Sequence, residues 1–182
     1  MSWSDRFLDL FADIARPLAD VLKADGCREG WLQGEFYRHF CRQHDGFRVN
    51  YSYRSGRVKH DIYCLPPTEM AAELKVYGLC GYYTKNLCGQ STIDRFLPKA
   101  VGSRVILHQD EVDRLAPAAG SYLADVRRLR ELPDSMERYM ILVLQTAPDP
   151  DDFGQAISAL QVSPEEREWR CDDFLVRVSR IQ

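Results

Sequence analysis

Between Phe47 and Gly78 the apolar residues recur at every second position in three successive short runs, FRVNYSYR, RVKHDIYCL and EMAAELKVYG. Alternation of this kind belongs to strands with one face on a core, and three such runs close together in the chain read as a meander. Ser55-Gly56 supplies the turn between the first two. A meander must be covered, and the neighbouring segments offer the cover. Leu32, Phe36, Phe40 and Tyr37 form an apolar stripe on a helix over Trp31 to His44, with Glu35 beside the stripe. A charged helix is expected near Tyr122 to Leu132, followed by RYMILVLQTA, whose nearly continuous apolar run implies a strand covered on both faces. The acidic APDPDD begins a short helix through about Leu160, and FLVRVSRI reads as a last strand. The chain is therefore of the α/β class.

At the start of the chain Phe7, Phe11, Ile14, Leu18 and Leu22 recur every three or four residues, which predicts an amphipathic helix over about 3–23, bent near Pro17. At 182 residues the whole chain, 1–182, is expected to be one domain with enough interior to need no staples. The pattern is weakest over 78–119, which contains GLCGYYTKNLCGQ and short helical hints near 92–97 and 110–115. That is too long for a simple connection, so it reads as an insertion acting as a lid, a partner surface or a substrate-facing element.

Composition narrows the function. The 24 basic residues against 27 acidic ones give a net charge of -3, so no global positive field advertises a polyanionic partner, and any nucleic-acid contact must be local. Cys27, Cys41, Cys64, Cys80, Cys88 and Cys171 show no C-x-x-C pairing and read as reduced core thiols. His39, Cys41 and His44 lie close in sequence, but a helix points the first two well apart. The opening MSWSDRFLDLFADIARPLADV has no basic start followed by an apolar run, and no segment holds about 20 apolar residues in succession. A soluble cytoplasmic protein without a membrane segment is the expectation.

Charged residues break the second and third runs. By strand alternation Lys59, Asp61 and Tyr63 share one face, as do Ala71, Glu73, Lys75 and Tyr77, while Leu74 and Val76 look the other way. If the two strands pair, Asp61 and Glu73 come together with Lys75 beside them. Two carboxylates on one patch repel each other and resist desolvation, and a divalent cation between them resolves the conflict. Hard oxygen ligands without thiolate or imidazole favour Mg²⁺ or Mn²⁺ over zinc. Lys75 adds a positive charge able to stabilise a developing phosphorane or orient an attacking water.

This pattern resembles the PD-(D/E)XK nuclease superfamily, or restriction-endonuclease-like fold, through Asp61, eleven intervening residues, and Glu73-Leu74-Lys75. The likeness extends to the order of elements from about Trp31 to Thr146. It implies a restriction-endonuclease-like core over about 31–77 and 120–146, with a central mixed sheet of about four to five strands flanked by helices. It further implies a metal-dependent nuclease in which Asp61 and Glu73 hold Mg²⁺ or Mn²⁺, Lys75 supports the chemistry, and Glu35 on the preceding helix assists the metal or a water. Gln90 and Gln145 lie where some members carry a further polar residue.

Nucleic acid, DNA before RNA, is then the expected partner, with Tyr82, Tyr83, Lys85 and Arg95 as stacking and phosphate-contacting candidates. Arg127, Arg128 and Arg130 with Asp125 and Glu131 most simply form the wet face of their helix with local ion pairs, the alternative being one flank that touches a backbone phosphate. Two other readings stand beside this one: an inactive nuclease-fold protein that binds nucleic acid or a protein, and a small α/β interaction protein. A homodimer through the opening helix or the insertion is a further expectation.

Overall fold

The computed structural model describes residues 1–24, 27–52, 59–77, 105–115, 121–146 and 160–182. Two helices, α1 (Trp3–Asp13) and α2 (Ala15–Leu22), precede α3 (Arg28–Phe40) and the strands β1 (Phe47–Ser52), β2 (Lys59–Cys64) and β3 (Met70–Tyr77). There follow β4 (Val105–Ile106), α4 (Gln109–Leu115), α5 (Tyr122–Arg130), β5 (Glu137–Gln145), β6 (Leu160–Gln161), β7 (Glu166–Arg170) and β8 (Phe174–Arg180).

Six of the strands form one mixed sheet in the order β1-β2-β3-β5-β8-β7, and β4 and β6 pair separately. The meander β1–β3 is antiparallel, β5 returns parallel to β3 after α5, and β8 and β7 extend the sheet in antiparallel fashion. The sheet is thus wider than the four to five strands expected. The extra strand is β7, whose sequence EREWR lacks the apolar alternation by which a strand is recognised, because it is an edge with little apolar burial. Leu160, expected at the end of a helix, opens the short strand β6 instead.

Strand β5 shows why its apolar run is continuous. Tyr139, Ile141 and Val143 enter the core under α1, α2 and α3, while Met140, Leu142 and Leu144 enter a second core with Val112 of α4 and Tyr122, Leu123, Val126 and Leu129 of α5. Residues 138–144 are all buried. The first core is rich in aromatic rings: Phe7 packs edge-on against Phe36, Phe40 and Tyr139. Ser2 and Asp5 close a reciprocal capping box at the start of α1. The break between α1 and α2 falls at Ile14, one turn before Pro17, because the proline ring clashes with the carbonyl four residues earlier, that of Asp13. The apolar stripe of both helices is taken up by the chain's own core.

Of the described cysteines only Cys64 is buried; Cys27 is exposed and Cys41 and Cys171 are intermediate, a correction to the expectation of core thiols. His44 pairs with Arg6 and stacks on Trp3, while Cys41 donates to the Arg38 carbonyl. Cys80 and Cys88, the Ser55-Gly56 turn, and the helical hints at 92–97 and 150–159 lie outside the described residues.

Candidate functional site

The ladder between β2 and β3 holds the pairs Ile62↔Ala72, Tyr63↔Ala71 and Cys64↔Met70. Beyond them β2 stays with β1 as far as Ser52↔Lys59, and β3 stays with β5 as far as Tyr77↔Leu144. The two strands therefore diverge into a fork, and the fork holds the charged residues. Asp61 stands where the ladder ends: its Oδ2 accepts the Leu74 backbone N–H at 2.8 Å, in place of a strand partner. A buried amide would otherwise be left unsatisfied.

Asp61 is oriented from the other side by a relay. Asn50 of β1 adopts a left-handed conformation with φ 52°, which asparagine tolerates better than most residues, and its Nδ2 donates to Gln33 Oε1 at 3.0 Å. That bond turns the Gln33 amide so that its Nε2 donates to Asp61 Oδ1 at 2.9 Å. Even so, burial, and next the Glu73 charge beside it, push the Asp61 carboxyl up to about 6.

Glu73 is fully buried and densely paired. His60 Nδ1 lies 2.6 Å from its Oε1, and Arg128 of α5 grips it with Nε 3.2 Å from Oε1 and a terminal nitrogen 2.7 Å from Oε2. The same Arg128 nitrogen reaches Asp125 Oδ1 at 2.9 Å, and Lys75 Nζ reaches Asp125 Oδ2 at 2.7 Å. Glu29 closes the chain: its Oε1 accepts the Val76 N–H at 3.4 Å and lies 4.0 Å from Lys75 Nζ. Burial raises the Glu29 carboxyl, Lys75 pulls it back, and Asp61 and Asp125 raise it again. Burial lowers the Lys75 ammonium, but Asp125 and then Glu29 outweigh it and hold it above its ordinary value.

Asp61, Glu73 and Lys75 are thus brought together as strand alternation indicated, with Leu74 and Val76 turned to the opposite core. Glu35 is not brought to them: its carboxylate pairs with Arg38 at 2.6 Å. Helical geometry explains the difference. The buried stripe is Leu32, Phe36 and Phe40; Gln33 lies about 100° past Leu32, whereas Glu35 lies about 100° before Phe36, on the other flank. Glu29 and Gln33, four residues apart, share the flank that meets the fork. An i, i+4 polar pair at one margin of the apolar stripe was the available signal. Asn50, Asp125 and Arg128 had none, since their roles depend on which elements pack together. Tyr82, Tyr83, Lys85, Arg95 and Gln90 lie outside the described residues, and Gln145 ends β5 opposite Phe174.

Among the described residues, Glu29, Asp61, Glu73 and Asp125 face Lys75 and Arg128 as permanent cations, an acidic surplus of two within that set. Among the described residues no three His, Cys, Asp or Glu side chains are grouped to hold a metal by themselves. The donor set still fits a hard divalent cation of the Mg²⁺ type, which commonly takes one or two carboxylates and completes its shell with water and substrate phosphate. A carboxylate offers about four lone-pair sites, so Asp61 retains acceptor capacity on both oxygens and Glu73 on Oε2 without giving up the bonds just described. Among the described residues no helix is long and apolar enough to cross a membrane. Comparison with protein-family models, with curated proteins and with solved structures returned no match.

Proposed function

We propose that this chain is a metal-dependent nuclease of restriction-endonuclease-like fold that hydrolyses phosphodiester bonds, with DNA favoured over RNA. One observation carries the reading: Asp61 and Glu73 converge at the β2–β3 fork with Lys75 alongside, and among the described residues the cluster has two negative charges in excess of its cations. The order α3, β1–β3, α5, β5 supports it, being the order the superfamily shares.

In this reading Asp61 and Glu73 hold Mg²⁺ or Mn²⁺. The cation supplies Lewis-acid polarisation of the scissile phosphate and a bound water of lowered pKa. Lys75, its ammonium fixed by Asp125, presents a localised positive charge to the phosphate oxygens as negative charge develops on them. Gln33 and the Leu74 amide keep Asp61 aimed into the fork rather than toward bulk water. Glu29 takes the place on α3 that Glu35 was expected to fill, beside Lys75.

The test is cleavage of labelled single- and double-stranded DNA and RNA in Mg²⁺ or Mn²⁺ by the wild type and by Asp61→Ala, Glu73→Ala and Lys75→Ala, with circular dichroism confirming each fold. Each substitution is expected to abolish cleavage, and EDTA to abolish it in the wild type. Retained cleavage in any two of the three variants sinks the proposal. The dense pairing of Glu73 with His60 and Arg128 favours a second reading, a nuclease-fold protein that binds without cutting. Oligonucleotide binding with no metal-dependent turnover would select it.

A further inference from the structure

Helix α5 carries three arginines that its sequence does not distinguish, and the structure sends them to three different tasks. Arg127 is exposed and paired with Glu131 one turn along. Arg130 donates to the Val162 carbonyl at 3.3 Å. Arg128 alone turns into the fork, where it holds Glu73 and Asp125. Its side chain keeps 28% of its surface in solvent, against 1% for both carboxylates and 12% for Lys75, so it is the cation of the cluster nearest the outside.

The guanidinium is a planar fork that matches a carboxylate and a phosphate by the same bidentate geometry. In the free protein that geometry is satisfied by Glu73. A divalent cation on Asp61 and Glu73 brings the acidic surplus of two to zero and relieves Glu73 of its need for Arg128. A nucleic-acid strand then adds a negative charge at the solvent side, where the released guanidinium is more exposed than Lys75. Asp125, three residues before Arg128 on the same helix face, keeps the guanidinium at the site during the exchange.

We propose that Arg128 is a substrate-binding residue of this site: the guanidinium that grips Glu73 in the free protein transfers to a phosphate oxygen of a nucleic-acid strand once a divalent cation occupies the fork. The inference rests on the nuclease reading above. No bond is made or broken other than hydrogen bonds, and the exchange makes strand binding metal-dependent through a residue that does not touch the metal.

The experiment is fluorescence anisotropy of a labelled oligonucleotide, as single-stranded DNA, duplex DNA and RNA, with the full chain in Ca²⁺ and in EDTA. Ca²⁺ is a hard cation with the same oxygen preference, and a gel checks that the oligonucleotide stays intact. The wild type is compared with Arg128→Ala, Arg128→Lys and Arg127→Ala. Arg128→Ala is expected to weaken binding about tenfold or more in Ca²⁺, the loss of one charge-assisted contact. The salt dependence should become shallower by about one counterion. In EDTA, where Arg128 is engaged with Glu73, the same variant should bind as the wild type does. Arg128→Lys, which keeps the charge and loses the fork, should fall between, and it carries the test if Arg128→Ala does not fold. Arg127→Ala should leave the metal-dependent part of binding intact.

A loss of equal size in Ca²⁺ and EDTA overturns the inference, since a structural role predicts it. So does an Arg128→Ala indistinguishable from Arg127→Ala. If that result accompanies Mg²⁺-dependent cleavage by the wild type, the nuclease reading stands and this inference alone falls. If the wild type neither cuts nor gains affinity with a divalent cation, both fall together.

Discussion

Two ionic clusters lie on one sheet and are assembled differently. At the β7–β8 edge Arg177, almost wholly buried, meets Glu166 at 3.0 Å and Glu168 at 3.6 Å, and donates to the Leu160 carbonyl at 2.7 Å. Glu168 stands directly opposite Arg177 in the ladder, Ser179 Oγ donates to Glu166 at 2.9 Å, and Arg170 adds a second cation beside Glu168. In the contacts among the described residues two arginines face two glutamates, all from adjacent paired strands. At the β2–β3 fork the members come from α3, β2, β3 and α5, the ladder is absent between the strands that carry them, and among the described residues acidic charge exceeds cationic by two. Cross-strand pairs of opposite charge are what a sheet uses to bury its own polar groups. A surplus of one sign where strands part is not accounted for by such cross-strand pairing.

The largest effect expected from this contrast is on the balanced cluster. Arg177→Met removes the buried guanidinium that meets both Glu166 and Glu168 and should cost about 3–5 kcal/mol in denaturant unfolding. It should leave divalent binding at the fork unchanged, by titration calorimetry on whatever fraction remains folded. A cost under about 1 kcal/mol would show that the two clusters do not differ in the way proposed here.

A smaller effect with the opposite sign is expected at the fork. The Asp61 carboxyl sits at about 6 in the folded protein against an ordinary 3.8. Below the unfolded value both states are protonated and the Asp61 contribution to stability is fully present. As pH rises toward and through 6 the unfolded chain ionises freely while the folded one resists, and stability is lost. Asp61→Asn removes that loss. It should therefore match the wild type near pH 3.5 and exceed it by about 2–3 kcal/mol near pH 8, in denaturant series without divalent ions. Equal stabilities at both pH values would mean that the fork carries no surplus. Saturating Mg²⁺ should erase the difference by stabilising the wild type alone.

The smallest effect is a null one. Glu35→Ala removes a partly wet pair with Arg38 and should leave both the unfolding midpoint and the rate of cleavage where they were. A loss of cleavage would return Glu35 to the site and displace Glu29 from it.

Much of this architecture was written in local pattern. Period-two alternation placed β1, β2 and β3, and the unbroken run at 139–146 announced a strand covered on both faces. Asp61, Glu73 and Lys75 could be placed on one patch because a strand has only two faces and they occupy matching parity. A helix offers no such shortcut. Glu35 and Glu29 are both acidic and both near the stripe, and only the packing of α3 on the sheet decides which flank meets the fork. Strand β7 escaped notice because its residues alternate charge with charge.

The sequence by itself determined what depends on neighbours along the chain: the meander, the apolar stripe of α3, and the shared face of Glu73 and Lys75. Tertiary structure alone decided that β2 and β3 part after three pairs, that Asn50 and Gln33 aim Asp61, and that Arg128 rather than Arg127 or Arg130 enters the site. The physical reason is range. Backbone geometry repeats over a few residues and can be read from spacing. The electrostatic state of a buried carboxylate is set by whatever charges lie within a few ångströms, and some of those are brought there by elements far along the chain, as Arg128 is brought to Glu73 across 55 positions.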